Sequence, residues 1–141
     1  MSYRYSAIKT AVSGHQAIGL ADDVVEYDSR MEAKLAILLI REGIRFLPHR
    51  MFKVFAPDGY EFTYRLDFLF LEPQKFAGIS HFVMGLEIKG RLKPHDFVRQ
   101  EALKYVHGIR TYMVLDPLLD FWYEYGMNPN SKRLGEPKGG K

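Results

Sequence analysis

Residues 60–90, YEFTYRLDFLFLEPQKFAGISHFVMGLEIKG, contain two runs rich in aromatic and apolar side chains, one at 60–71 and one at about 81–89. Runs of this composition are typical of β-strands. A further apolar run, RMFKVFA at 50–56, is separated from the first by the turn sequence PDG at 57–59, and this arrangement predicts a β-hairpin. The stretch therefore predicts three consecutive strands.

Helices are expected before and after these strands in the sequence. Residues 29–44, SRMEAKLAILLIREGI, combine good helix formers with apolar positions nearly all round, and Ser29 is suited to the N-cap. A second helix is expected from Pro94 to about Gly108, because proline favours the first turn of a helix and glycine its end. The run IRTYMVLD at 109–116 is typical of a buried strand. The order αβββαβ predicts an α/β domain in which helices flank a mixed central sheet.

The 141-residue chain has the length of a single domain. We expect an N-terminal arm or extension at 1–28, a core at 29–125 and a flexible basic tail at 126–141. An apolar fraction of 47% and an aromatic fraction of 14% favour a globule over disorder. The chain has no cysteine, which excludes disulfides, thiolate metal ligands and a cysteine nucleophile.

Membrane and nucleotide sites are not expected. No apolar run approaches the roughly 18 residues that a membrane-spanning helix needs, and the N-terminus lacks the apolar segment of a signal peptide. We therefore expect a soluble, intracellular protein of the cytoplasm, with no membrane partner. The phosphate-binding patterns GxxxxGKS/T and GxGxxG are absent, so no nucleotide cofactor is expected.

Charge is distributed unevenly along the chain. The net charge of +3 lies in the basic tail, so the rest of the chain is neutral. Within that neutral part, the acidic segment 54–88 lies between two basic segments, 29–53 and 89–110. This distribution suits a phosphate-binding surface around a metal centre, and it suits internal charge pairing equally well.

Three charged side chains are expected to meet on the sheet. Side chains two residues apart share one face of a strand, so Glu87 projects with Lys89, and Asp67 projects with Arg65. The leucine and aromatic residues at even positions of 62–70 should share the opposite face. If the two strands are neighbours, Asp67, Glu87 and Lys89 converge on one patch. Two nearby carboxylates repel each other, and Mg²⁺ or Mn²⁺, which prefer oxygen ligands, would stabilise the pair.

The spacing of these residues is also informative. After Asp67, a gap of nineteen residues leads to Glu87, Ile88 and Lys89. This pattern, with the two acidic residues on consecutive strands, resembles the signature of the PD-(D/E)XK nuclease superfamily. Among its members, the chain is similar to the small phage-type and Holliday-junction-resolving endonucleases.

The resemblance extends to neighbouring elements and covers about residues 26–115. Glu32 lies in the first turn of the helix that precedes the strands, where the superfamily places a glutamate. The helix after the lysine strand has the basic and glutamine residues that are frequent there. One position departs from the pattern, because the usual proline before the aspartate is Leu66 in this chain.

The resemblance implies a restriction-endonuclease-like core and an Mg²⁺-dependent (or Mn²⁺-dependent) DNA endonuclease, acting on branched DNA such as Holliday junctions as a homodimer. The implied metal ligands are Asp67, Glu87, the carbonyl of Ile88 and, directly or through water, Glu32. Lys89 would orient the attacking water, which gives a catalytic set of Glu32, Asp67, Glu87 and Lys89. The residues expected to contact DNA phosphates are Arg91, Lys93, Arg99, Gln100 and Lys104.

Each of these residues has a structural alternative. Glu32 also forms the pattern of a capping box with Ser29. Asp67 could act as a cap or form a salt bridge with Arg65, and Lys89 could be an ordinary surface lysine. The same superfamily includes repair, transposition and restriction-type nucleases, and a non-catalytic nucleic-acid-binding module would keep the same residues as salt bridges.

Overall fold

A computed structural model describes residues 8–129 of the chain. In chain order the elements are β1 (Thr10–Val12), a 3₁₀-helix (His15–Ile18), β2 (Val25–Tyr27), α1 (Arg30–Arg41), β3 (Phe46–Phe55), β4 (Glu61–Gln74), β5 (Val83–Ile88), α2 (Pro94–His107), β6 (Thr111–Val114) and α3 (Asp116–Tyr125). The central sheet has the order β3-β4-β5-β6; β5 and β6 are parallel and the other neighbours antiparallel. The predicted mixed α/β architecture is confirmed.

Helix α1 begins where the sequence predicts. The hydroxyl oxygen of Ser29 accepts a hydrogen bond from the backbone N–H of Glu32 at 3.1 Å, which satisfies one of the free N–H groups at the helix start. Leu35 and Leu39 are fully buried. They join a large core that includes Phe68 and other residues on one face of the sheet.

Strands β3 and β4 form the predicted hairpin. Their antiparallel pairing runs from Phe46 opposite Phe70 to Phe55 opposite Glu61. The connecting turn contains Gly59, whose φ of +90° lies in the left-handed region that glycine tolerates. Strand β3 begins earlier than position 50, which lengthens the hairpin beyond the predicted runs.

The alternation of side chains along β4 reverses at Asp67. Leu66 packs in a cluster with residues of α2, whereas Phe68 packs in the large core with α1. The expectation that the even positions of 62–70 share one face is therefore wrong. On the neighbouring strand, His49 interrupts the pairing with β4 and has a φ of +56°. The two irregularities lie opposite each other, because Pro48 pairs with Phe68 and Arg50 pairs with Leu66.

The N-terminal part of the described chain adds a second small sheet. Strands β1 and β2 pair antiparallel, and Val12, Ile18 and Tyr27 are buried in the same core as α1. Residues 8–28 of the predicted arm or extension thus cover that core. Residues 1–7 and 130–141, which hold the start of the arm and most of the predicted flexible basic tail, lie outside the described residues.

Helix α3, the last element of the described chain, contributes to the same large core. Leu119 and Trp122 are buried, and the indole N–H of Trp122 donates a hydrogen bond of 2.8 Å to the carbonyl of Ala77. Met127, just after the helix, is fully buried as well. Between residues 8 and 129, no helix is both long and apolar enough to cross a membrane.

Candidate active site

Asp67 lies where the β4–β5 ladder meets the end of β5. Phe68 pairs with Leu86 in that ladder, and one residue further along, the Oδ2 atom of Asp67 accepts a hydrogen bond from the backbone N–H of Ile88 at 2.9 Å. Its Oδ1 atom lies 3.4 Å from Nη1 of Arg65. The Asp67 carboxylate thus bridges β4 and β5 at Ile88, the last residue of β5.

The environment of Asp67 is unfavourable for its negative charge. The pKa of the Asp67 carboxyl is raised to about 7, because burial and the nearby charge of Glu32 raise it more than the hydrogen bond from Ile88 and the charges of Arg65 and His49 lower it. Only 7% of the residue is exposed to solvent. The carboxylate form is therefore under-compensated by the protein's own groups.

Glu32 and His49 lie beside Asp67. Glu32, in the first turn of α1, is buried, and its Oε1 atom is 3.5 Å from Nε2 of His49. Neither atom has a hydrogen-bond partner in the described part of the chain. The His49 ring packs edge-on against Tyr27, with ring centroids 5.2 Å apart. We call Glu32, His49, Arg65 and Asp67 the Asp67 group.

Glu87 is the second strongly buried acid. It projects from β5 and is 5% exposed. Its Oε1 atom lies 3.6 Å from Nζ of Lys89, while Oε2 has no hydrogen-bond partner among the described residues. The pKa of the Glu87 carboxyl is raised to about 7, because burial and the charge of Asp96 raise it more than the charge and the hydrogen bond of Lys89 lower it.

Lys89 is held on two sides. Its Nζ atom lies 3.6 Å from Glu87 and 3.3 Å from Oδ1 of Asp96, a buried residue of α2. Its backbone N–H donates a 2.9 Å hydrogen bond to the carbonyl of Val114. Burial raises the pKa of Asp96, but the hydrogen bond from Lys93 N–H and the charge of Lys89 outweigh it, so the net shift is downward. We call Glu87, Lys89 and Asp96 the Lys89 group.

The four predicted catalytic residues thus belong to two groups, which are joined by the hydrogen bond from the backbone N–H of Ile88 to Asp67. Comparisons with protein-family models, with curated proteins and with solved structures each gave no match. Within residues 8–129, no three acidic or histidine side chains are arranged so that together they could hold a metal ion. The two groups are neighbours in the fold, but among residues 8–129 they do not bring three ligand side chains together around one position.

The donor chemistry nevertheless fits a hard divalent cation. Mg²⁺ is commonly bound by only one or two carboxylates, with waters and substrate phosphates completing its shell. Asp67 and Glu87 are two buried carboxylates with raised pKa values, and Glu87 keeps one oxygen unpaired. A cation would stabilise the charged form of both residues.

Gly85 brings β4 and β5 close together beside the site. A Cβ atom at this position would lie 2.7 Å from the carbonyl oxygen of Phe68 and 2.8 Å from a methyl carbon of Leu66. Only glycine leaves room for this approach, because real Cβ atoms do not come so close to backbone oxygens. Gly85 therefore helps to fix the spacing of the strands on which Asp67 and Glu87 lie.

The predicted DNA-contacting residues have different environments. Arg91 and Lys93 are exposed and lie two and four residues after Lys89. The Arg99 guanidinium lies 4.4 Å from the ring centre of Phe62 and donates to a backbone carbonyl of β4.

The other two predicted contacts lie further along α2. The side-chain amide of Gln100 donates to the carbonyl of Thr111 at 2.8 Å and to its hydroxyl at 3.2 Å, so it joins α2 to β6. Lys104 is exposed and lines a separate polar pocket with Arg110. Of the five residues, Arg91 and Lys93 are the exposed cations next to the Lys89 group.

Sequence reasoning missed two residues of the site, His49 and Asp96. Asp96 has a detectable signal, because an acidic residue in the first turn after a proline is typical of a helix start. That signal predicts a capping role and says nothing of Lys89. His49 has no signal in the sequence, because its role depends on the strand that lies opposite.

Proposed function

We propose that this protein is a metal-dependent endodeoxyribonuclease that hydrolyses phosphodiester bonds. The observation that supports it most is the arrangement at the end of β5. There, the buried Glu87 lies beside the ammonium group of Lys89, and the N–H of the residue between them binds the carboxylate of Asp67. This arrangement fits the chemistry that the resemblance to PD-(D/E)XK nucleases implies.

Asp67 and Glu87, with the carbonyl of Ile88 and with Glu32, would hold Mg²⁺ or Mn²⁺. When bound, such an ion acts as a Lewis acid on a phosphate oxygen and lowers the pKa of a bound water. The raised pKa values of Asp67 and Glu87 support this assignment, because a site prepared for a cation is expected to leave its carboxylates under-compensated.

The chain's own residues supply the remaining tasks. The Lys89 ammonium can orient a water molecule and stabilise negative charge that develops on the scissile phosphate. Arg91 and Lys93 are exposed and lie close to Lys89 in the sequence, so they can bind flanking phosphates without reading the bases. The dense positive charge of this short loop suits the DNA backbone.

The finer substrate is proposed from the resemblance. It favours branched DNA, including Holliday junctions, and a homodimer, because cutting two strands requires two sites related by symmetry. Repair, transposition and restriction-type nucleases share the same catalytic core. A substrate panel distinguishes these alternatives.

The test is a cleavage assay with a four-way junction, a linear duplex and single-stranded DNA, each with Mg²⁺ or with EDTA. We expect cutting that requires the metal and that is lost in Glu87→Gln. Lys75→Ala is a matched control, because Lys75 is an exposed lysine beyond the far end of β4. A folded protein that cuts none of these DNAs in either Mg²⁺ or Mn²⁺ would contradict the proposal.

A non-catalytic nucleic-acid-binding module is the second candidate. In its favour, the central charges have partners of opposite sign, with Asp67 3.4 Å from Arg65 and Lys89 3.3 Å from Asp96. The missing three-ligand group among residues 8–129 points the same way. Titration calorimetry with Mg²⁺ and Mn²⁺ separates the candidates. A nuclease is expected to bind the metal and to lose that binding in Asp67→Asn. A binding module held together by salt bridges is expected to bind no metal at this site.

A further inference from the structure

We propose that Asp96 is a positioning residue that holds the ammonium group of Lys89 beside Glu87 during DNA cleavage. The inference rests on the proposed nuclease function for its consequence, but the contact itself can be tested separately. Asp96 belongs to α2 and is only 7% exposed. It therefore links the helix to the strand on which the candidate catalytic lysine lies.

The two carboxylate oxygens of Asp96 have separate tasks. Oδ2 accepts a hydrogen bond from the backbone N–H of Lys93 at 2.8 Å, and the N–H of Asp96 donates to the carbonyl of Lys93 at 3.0 Å. These two bonds fix the start of α2. Oδ1 faces Lys89, whose Nζ atom lies 3.3 Å away, and the Nε2 atom of the exposed His95 lies further off, at 3.8 Å.

Lys89 needs such a partner to occupy one position. A lysine ammonium group is a compact charge at the end of a long and flexible side chain, so it can turn among several nearby acceptors. The hydrogen bond from Lys89 N–H to Val114 fixes only its backbone. Glu87 attracts the ammonium group from one side at 3.6 Å, and Asp96 attracts it from the other. Because Asp96 is anchored to a helix start, it gives the lysine a rigid second support.

A simpler role would be that Asp96 only caps α2. Asp96→Asn separates the two roles, since the asparagine oxygen can still accept from Lys93 N–H but the amide has no negative charge to hold Lys89. Glu101→Gln is the matched control, because it removes an exposed carboxylate from the same helix.

The kinetic readout is the split between kcat and KM on the preferred DNA substrate. Loss of a residue that supports a catalytic group typically lowers activity about 10–100-fold, so we expect a fall of that size in kcat for Asp96→Asn. KM for DNA should stay within about twofold of wild type, because substrate binding is not altered. The control Glu101→Gln should keep the wild-type kcat. A kcat for Asp96→Asn within about twofold of wild type would overturn the proposal.

A double-mutant cycle tests the contact without any cleavage. Melting temperatures are measured for wild type, Asp96→Asn, Lys89→Met and the double variant. If Asp96 holds Lys89, the loss in Tm caused by Asp96→Asn is smaller in the Lys89→Met background. Effects of Asp96 on the helix start are present in both backgrounds and cancel, so additive losses would overturn the proposed contact. A wild-type protein that cuts no DNA refutes the nuclease, while the cycle still decides whether Asp96 holds Lys89.

Discussion

Replacing Asp67 by asparagine should stabilise the metal-free protein at neutral and alkaline pH. Burial raises the pKa of the Asp67 carboxyl from 3.8 to about 7. One pKa unit corresponds to about 1.4 kcal/mol, so the ionised carboxylate lowers the free energy of unfolding by roughly 4 kcal/mol at pH 8. Asparagine is nearly isosteric, has no charge, and keeps an oxygen for the N–H of Ile88.

The sign of the pH dependence follows from proton binding. Between pH 3.8 and about 7, Asp67 is protonated in the folded protein and ionised in the unfolded chain. The folded state therefore binds more protons, and its stability falls as the pH rises through this range. The gain in unfolding free energy of Asp67→Asn over wild type should be close to zero near pH 3.8 and should reach its full value above pH 7.

The assay is urea unfolding in EDTA at a series of pH values, followed by the same series with Mg²⁺. In EDTA, the difference in unfolding free energy should grow with pH toward roughly 4 kcal/mol. Added Mg²⁺ should raise the stability of wild type at pH 8 but not that of Asp67→Asn, because a ligand stabilises only the state that binds it. If the difference in unfolding free energy between Asp67→Asn and wild type does not change with pH, the claim that the environment of Asp67 disfavours its negative charge is refuted.

Two further substitutions follow the same reasoning. Glu87→Gln removes a buried carboxylate whose pKa is raised from 4.5 to about 7, so we expect a stability gain of roughly 3 kcal/mol at pH 8 in EDTA, and this figure already includes the lowering effect of Lys89 on that pKa; an unfolding midpoint below that of wild type at pH 8 would contradict this. Gly85→Ala places a Cβ 2.7 Å from the carbonyl oxygen of Phe68, so thermal unfolding should show a loss of about 1–3 kcal/mol, and a variant as stable as wild type would show that the strands are not tightly spaced.

Local signals in the sequence were sufficient for the main elements. Ser29 acts as the N-cap of α1, and the PDG turn at 57–59 connects the predicted hairpin. Pro94 opens α2 and Gly108 follows its end. These features depend on a few neighbouring residues, and so the sequence alone can specify them.

Features that depend on distant residues could not be predicted. The reversal of β4 at Asp67 lies opposite His49, which has a positive φ on another strand, and no local pattern encodes that pairing. The short strands β1 and β2 lack a periodicity long enough to detect. The contact of Asp96 with Lys89 requires the position of α2 relative to β5, which seven residues of sequence separation do not determine.

The predicted convergence of acidic residues has a similar limit. The sequence predicts that Asp67, Glu87 and Lys89 converge on one patch if their two strands are neighbours, and the β4–β5 pairing shows that these strands are neighbours. In the structure, Asp67 lies with Glu32, His49 and Arg65, whereas Glu87 lies with Lys89 and Asp96. The Asp67 group and the Lys89 group are joined through the backbone of Ile88.

The most direct test of the nuclease assignment compares wild type with Lys89→Ala on a branched and a linear DNA, measuring cleavage in Mg²⁺ and DNA binding in parallel. The assignment predicts that Lys89→Ala stays folded and binds DNA nearly as wild type does, while its metal-dependent cleavage is lost. Cleavage by Lys89→Ala at the wild-type rate would contradict it, because the ammonium group beside Glu87 would then have no part in the reaction.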